Sequence, residues 1–494
     1  MNLDVGLLSP VTVGHDDQVA DAAVLDALVT AEVGLARAYG AIGLAPTDAV
    51  DAISDATGWD AADRLSRRHG VDANDLAAAS VAGGNPVIPL VGRLRDRVPD
   101  AARAWVHRGA TSQDIVDTAI MILARLATDR VRASLDEIDA VLTAFAAAHR
   151  DEVAAARTLT QHAVPTTVGL RAATWLRGIR RARDRVGQLT LPVQLGGAGG
   201  TLASFTEIAA AGLDSDETGP VLRERWGSDA APGTMVRALV SQFASELGLA
   251  TPDAPWHTTR WPITELGDAL VAAIDAVGVV AADVATLSRT EIGELAEGTG
   301  GGSSAMPQKQ NPAASVLIRS AALRAPQLGA TLHLASALAV DERPDGAWHA
   351  EWPTVRELLR LALGATATAA ALVAGLRVDR DAVARNVGLT RGLLVAERVS
   401  LVLGPVIGSD AVARIVAQVD AGRDLAEAVR AEIASTDAAD VDVDALVDPA
   451  RYTGLAGDLV DDAVEGRGAT GSRAPDATTD RPRPQTAPPE EDLP

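Results

Sequence analysis

Between residues 114 and 163 the chain contains no proline, and Ile115, Ala119, Ile122, Leu123 and Leu126 recur at helical spacing. Helices of globular proteins average about 11–12 residues, so this stretch predicts a very long helix, which needs apolar partners along its length. The same pattern predicts helices over 168–189 and 234–247. Another proline-free reach, 263–306, opens with Leu266, Leu270, Ile274, Val277, Ala281 and Val284 on one helical face. A further helix is expected after Pro312, passing Pro326 with a kink. The apolar share is 47%, but only 3% of residues are aromatic. Ala, Leu and Val carry the load, which suits helices packed closely over small side chains. The helix faces are apolar over a wider arc than one bundle covers, so association through them is expected.

Proline spacing divides the rest. Pro10, Pro46, Pro86, Pro89 and Pro99 break the start of the chain, with helical patterns such as 19–39 between them. We therefore expect an N-terminal helical domain over 1–110 and a central long-helix bundle over 111–342. Beyond 343 the patterns shorten into a C-terminal helical domain ending near 465. The segment 466–494, "GRGATGSRAPDATTDRPRPQTAPPEEDLP", has almost no large apolar residues and is expected to be a disordered acidic tail. The fold class is all-α with three domains.

Several function classes drop out. The chain has no cysteine, which excludes disulfides and thiolate metal sites and fits a reducing compartment. The start "MNLDVGLLSP" lacks the basic and apolar regions of a secretion signal, and no uninterrupted apolar run reads as a bilayer span. A cytoplasmic protein is expected. The formal charge of −22 argues against nucleic-acid binding, and it means that any site for a small anion must be built locally from basic side chains and helix N-termini. No metal-ligand cluster or dinucleotide fingerprint occurs, so no cofactor is implied.

Three segments concentrate polar groups. In "HRGATSQDIVDTA", Thr111 and Asp114 form a capping-box variant at the head of the long helix, leaving the amides near Thr111 and Ser112 to face an anion; an ordinary N-cap explains the same residues. In "RTLTQHAVPTTVGL", Arg157, Thr158, Gln161 and His162 could donate to a carboxylate, and a solvated helix end is the alternative. The third, "EGTGGGSSAMPQKQNP", holds Lys309, the only lysine in the chain. Gly300, Gly301 and Gly302 give it backbone freedom, and Asn311 followed by Pro312 reads as N-cap and N1 of the next helix. Lysine, two serine hydroxyls and a helix start then converge; a flexible surface linker is the alternative.

"GSSAMPQKQNP" resembles the signature loop GSSxMPxKxNP of the fumarase/aspartase superfamily, and "GATSQD" and "RTLTQHAVPTT" resemble its other two active-site segments in order and spacing. The resemblance implies an almost all-helical homotetramer whose active sites each draw on three subunits. It also implies reversible elimination of a group β to a carboxylate. Ser303 resembles the base, and Lys309 and Asn311 the contacts to the aci-carboxylate. Thr111, Ser112, Thr158 and Gln161 resemble substrate-carboxylate binders, with Ser304 and Met306 beside them in the loop. Many members read RTHxQ in the second segment and carry a glutamate five residues after the loop asparagine; here those positions are Leu159 and Val316. Amine and hydroxide leaving groups depart badly unless protonated. A carboxylate, whose conjugate acid has a pKa of about 4, leaves unaided. The family with that leaving group is 3-carboxy-cis,cis-muconate cycloisomerase, which "LGGAGGTLASF", "PWHTTR" and "ERPDGAWHAEW" also resemble. His162 would contact an extra carboxylate or serve structurally. A fumarate-releasing C–N lyase and a non-catalytic helical scaffold are the alternatives. Three smaller readings complete the sequence. "GGAGG" at 196–200 reads as a tight turn, Trp348 and Trp352 as packing residues on one helix face, and Arg260 has no assigned role.

Overall fold

The computed structural model describes residues 5–298, 300–302, 306 and 309–466. Five long helices make the centre: α1 (Ser112–Ala148), α2 (Val168–Gly187), α3 (Trp261–Leu287), α4 (Ala313–Ala337) and α5 (Gly346–Ala374). α3 packs against α2, α4 and α5, and α1 packs against α2 and α5. Small residues set the closest approach: a Cβ on Gly267 would meet Leu332 at 2.7 Å, and one on Gly278 would meet Ala322 at 2.8 Å. The helix Asp21–Ala41 lies against α1 and against the helix Pro232–Leu247, so the N-terminal region shares one apolar core with the bundle.

α1 spans 37 residues and stops at Ala148, short of the expected end. The next residues form an antiparallel hairpin, β1 (Val153–Thr158) and β2 (Gln161–Thr167), because threonine, valine and Pro165 favour extended backbone over helix there. Pro165 pairs with Ala155 in the hairpin and does not terminate a helix. α4 begins at Ala313 with Pro312 as its N-cap, one residue later than the Asn311–Pro312 reading.

α5 runs for 29 residues where shorter elements were expected, and Pro353 lies inside it. It belongs to the bundle by packing, while a separate apolar cluster starts at Val395. The division into four units remains a proposal, with α5 counted among the bundle helices it touches. Residues 467–494, which hold all of the expected acidic tail but Gly466, lie outside the described residues.

α3 and α5 are long and apolar enough by composition to cross a membrane, but charged residues such as Glu265, Asp268, Asp275 and Arg360 interrupt them. Burial against neighbouring helices accounts for their apolarity: half of the most apolar window of α3 and two thirds of that of α5 are covered. α4 keeps an outward stripe, Val316, Leu323 and Leu334, at 54%, 78% and 62% exposure. These residues, seven and eleven apart, lie on one line along the helix.

One buried ionic cluster ties three of the helices together. Arg260, the N-cap of α3, donates from Nη1 and Nη2 to Asp117 of α1 at 2.7 and 3.0 Å, and from Nη2 to Glu351 of α5 at 2.6 Å. Its Nε donates to both Glu351 oxygens at 3.1 Å, and its guanidinium stacks 4.8 Å from the Trp256 ring. All three charged side chains are almost fully buried. Trp348, expected only to pack, also donates from Nε1 to Asp117 Oδ1 at 2.9 Å, while meeting Trp352 edge-on at 4.6 Å. Burial would lower the Arg260 pKa, and the two carboxylates reverse that and raise it; burial pushes Glu351 up as well. Removing one member of such a cluster strands buried charge, at a cost of about 3–5 kcal/mol. Arg260→Met is therefore expected to lower unfolding free energy by about that amount in urea denaturation.

Candidate active site

The first segment is held from behind by Asp114. Its Oδ2 accepts from the backbone N–H of Thr111 and of Gly197, both at 3.0 Å, and its Oδ1 accepts from Gly196 N–H at 2.9 Å. His257 Nε2 lies 2.8 Å from the same Oδ1. The capping box is present as expected, but the Thr111 amide is spent on it and does not face an anion. The 196–200 turn packs so tightly that a Cβ on Gly196 would meet His257 Cε1 at 2.7 Å, and Gly197 sits at φ +72°. This agrees with a tight turn there. Exposed Arg343, from the turn before α5, donates from Nη2 to Thr111 Oγ1 at 2.6 Å and to Ala198 O at 3.0 Å. Arg343 therefore brings a positive charge to Thr111. Sequence reading missed it, although an arginine in the otherwise acidic turn "DERPD" was the available signal.

In the second segment Thr158 pairs with Gln161 across the hairpin tip, and both are exposed. Leu159 and Thr160 between them have φ of 47° and 72°, left-handed values that suit a two-residue hairpin but are unfavourable for these residue types. Such positions cost about 1–3 kcal/mol each and cluster at functional sites. Leu159 is 95% exposed. Arg157 is not available to a ligand: its Nη2 and Nη1 donate to buried Glu294 at 2.5 and 3.2 Å. Asn386 Nδ2 donates to Glu294 Oε1 at 2.8 Å, and Arg171 lies 3.7 Å away. His162 pairs with Arg157 across the strands, half-buried, and burial together with the Arg157 charge pushes its imidazole below the ordinary value.

Ser303 and Ser304 lie outside the described residues. The ends of the third segment are tied. Gly301 and Asn311 exchange two backbone hydrogen bonds of 2.9 Å, and Lys309 N–H donates to Met306 O at 3.0 Å. Lys309 and Met306 are exposed. The head of α4, the helix start expected to converge with Lys309 and the serines, already has an anion: Glu297 accepts from Ala314 N at 3.1 Å, Ser315 N at 2.8 Å and Ser315 Oγ at 2.7 Å. Arg377 Nη2 holds the Glu297 carbonyl at 3.1 Å, beside the short pair β3 (Leu295–Ala296) and β4 (Arg377–Val378). Segments two and three are thus joined at their roots, since Glu294, which anchors Arg157, immediately precedes β3.

Segment one stands apart from segment two. From Thr111 to Ala148 the helix spans about 55 Å at 1.5 Å per residue. The ten residues from there to Thr158 reach back at most about 36 Å. Some 20 Å therefore separates Thr111 from Thr158 at the least, by the same arithmetic. A single chain does not gather both around one small substrate.

Two measurements test this framework. Asp114→Asn turns an acceptor of three amides into a partial donor and should cost about 3 kcal/mol of unfolding free energy. His107 Nδ1 lies 2.7 Å from buried Glu32; burial alone would lower its pKa, but the carboxylate outweighs it and raises it. With the folded value raised above about 6.5, this pair's contribution is complete below that pH and is lost as pH rises through the folded value. Stability measured from pH 6 to 9, a window of about three units around that titration, should fall in the wild type and be flatter in His107→Gln.

The Lyase family model matches residues 17–213. The nitrosuccinate lyase of Streptomyces davaonensis is 43% identical over 480 residues, covering 94% of this chain and 95% of the relative. The 3-carboxy-cis,cis-muconate cycloisomerase of Pseudomonas aeruginosa is 37% identical, covering 92% and 94%. The solved 3-carboxy-cis,cis-muconate lactonizing enzyme from Pseudomonas putida superposes with a TM-score of 0.76 at 33% identity, covering 91% of this chain and 95% of that one. Similarity of this extent, together with the loop GSSAMPQKQNP and the five-helix bundle, establishes that the chain belongs to the fumarase/aspartase superfamily.

Proposed function

We propose that the protein catalyses β-elimination from a small polycarboxylate whose leaving group departs as a stable anion, with nitrosuccinate as substrate and nitrite as leaving group. The observation that carries this reading is Leu159, an exposed apolar residue in the strained turn between Thr158 and Gln161, with Val316 at the other position where an acid device would stand. Without an acid there, an amine would have to leave unprotonated. Nitrite, whose conjugate acid is about as strong as a carboxylic acid, needs no such help, and the 43% identity to a nitrosuccinate lyase favours it.

In this reading Ser303 takes a proton from the methylene carbon next to one carboxylate. The aci-carboxylate is held by Lys309 and Asn311, and collapse of the charge forms the carbon–carbon double bond as the C–N bond breaks. Nitrosuccinate gives fumarate, nitrite and one proton. Thr111, Ser112, Thr158, Gln161 and Arg343 bind the carboxylates, with His162, Ser304 and Met306 at the periphery. Because Thr111 and Thr158 of one chain are at least about 20 Å apart, the site is shared between chains in this reading. A homotetramer with three chains per site, covering the Val316–Leu323–Leu334 stripe, is part of the proposal, as is a cytoplasmic location.

A second reading shares the chemistry. In 3-carboxy-cis,cis-muconate cycloisomerase the leaving group is the substrate's own carboxylate, and the relatives at 37%, 36% and 35% identity favour it.

Purified protein given nitrosuccinate should release nitrite and fumarate in equal amounts, and Ser303→Ala should lower the rate at least about 10³-fold. Absence of nitrite above the uncatalysed rate rejects the first reading, and loss of diene absorbance from 3-carboxy-cis,cis-muconate in the same preparation then assigns the second. Mixing inactive Ser303→Ala and Gln161→Ala chains should restore activity if sites are shared.

A further inference from the structure

Arg125, Thr128, Asp129 and Arg132 share one face of α1, more than three helical turns from Thr111, and form one wall of a cleft of about 320 Å³. The facing wall is the chain just after α2, residues 187–191, paired to 248–250 by a bond from Ala250 N–H to Leu191 O at 2.9 Å. Nε and Nη2 of Arg125 are buried and have no hydrogen-bond partner. A second guanidinium stands at the wall: a Cβ on Gly248 would meet Arg64 Nη1 at 2.9 Å. Burial pulls the Arg125 pKa down, Asp129 opposes this, and the Arg64 charge adds to it.

An arginine stays charged throughout the accessible pH range, so Arg125 cannot relieve its burial by losing a proton. The helix ends that border the cleft do not serve it. Past the helix Pro232–Leu247, Ser245 O already accepts from Arg64 Nη1 at 2.7 Å and from Gly248 N–H at 3.3 Å. Past α2, Val186 O accepts from Leu189 N–H at 3.3 Å. Asp129, the carboxylate in the lining, makes no hydrogen bond to Nε or Nη2, so this edge of the Arg125 fork has no two-oxygen acceptor.

We propose that this cleft binds a small multiply charged oxyanion, inorganic phosphate or a dicarboxylate, at a place separate from the elimination site. The inference does not depend on which substrate the enzyme takes. The anion would accept from Nε and Nη2 of Arg125 once the side chain turns these covered atoms into the cleft, with Arg132 at the mouth and Arg64 beside it to offset the Asp129 charge. No covalent step is involved.

The test is calorimetric titration of the full-length protein with sodium phosphate and, separately, with succinate, at ionic strength held constant with sodium chloride. Saturable binding that weakens at least tenfold in Arg125→Gln supports the proposal, and the titrant that loses affinity identifies the oxyanion. Succinate binding retained in Arg125→Gln belongs to the catalytic site. No saturable binding of either anion, or equal affinities in wild type and variant, overturns the proposal. Should Arg125→Gln fail to fold, Arg132→Gln on the exposed rim takes its place, with a severalfold loss expected and an unchanged affinity counting against the site.

Discussion

The polar seam along the first turns of α1 is the constraint on which the rest of the bundle depends. Asp114 and Asp117 lie one turn apart, and His257 and Arg260, which bind them, are likewise three residues apart before α3. Between them Gln194 is threaded in: its N–H donates to Thr118 Oγ1 at 2.9 Å and its Oε1 accepts from Trp256 N–H at 3.0 Å. Buried charges are tolerated only when their partners are placed this closely. The seam therefore fixes the register of α1, α3 and α5 against one another, which apolar contacts between alanine-rich surfaces do less selectively.

That rigidity has a functional direction. Thr111 is the last residue of the seam, held by Asp114 behind and by Arg343 in front, so its hydroxyl is presented at a fixed point on a helix tip. The hairpin tip and the glycine-rich loop are fixed at their roots by different buried carboxylates, Glu294 and Glu297. Each polar segment thus stands on a buried acid, in a chain whose net charge is −22. The acids do not oppose anion binding at the surface because each is neutralised locally by guanidinium, amide or hydroxyl donors. Exposed on or against the three segments are Arg343, Lys309, Thr158 and Gln161, with the acidic residues Asp341, Glu342 and Asp345 exposed around Arg343.

Much of this was legible in the residues. Long proline-free stretches gave the bundle, because periodic apolar residues leave a helix no other way to bury them. The loop GSSAMPQKQNP carried the family, since its residues are too particular for a linker. The hairpin was not read from the sequence: Leu159 and Thr160 have no preference for left-handed backbone, and the extended preference around Pro165 acts together with the tie of Arg157 to Glu294 and Asn386 where a helix end was expected. Nor was the use of Arg157 or Arg260, since an arginine seen in sequence offers the same charge whether it meets a ligand or a buried acid.

The sequence by itself determined the class of fold, the family and the missing acid at Leu159 and Val316, because these rest on side-chain identity and on spacing along one chain. Only the tertiary structure decided which polar groups are spent on one another and which are left exposed. It also decided that Thr111 and Thr158 stand at least about 20 Å apart. The reason is geometric: hydrogen-bond partners far apart in sequence are chosen by how helices cross, and no local pattern records that choice.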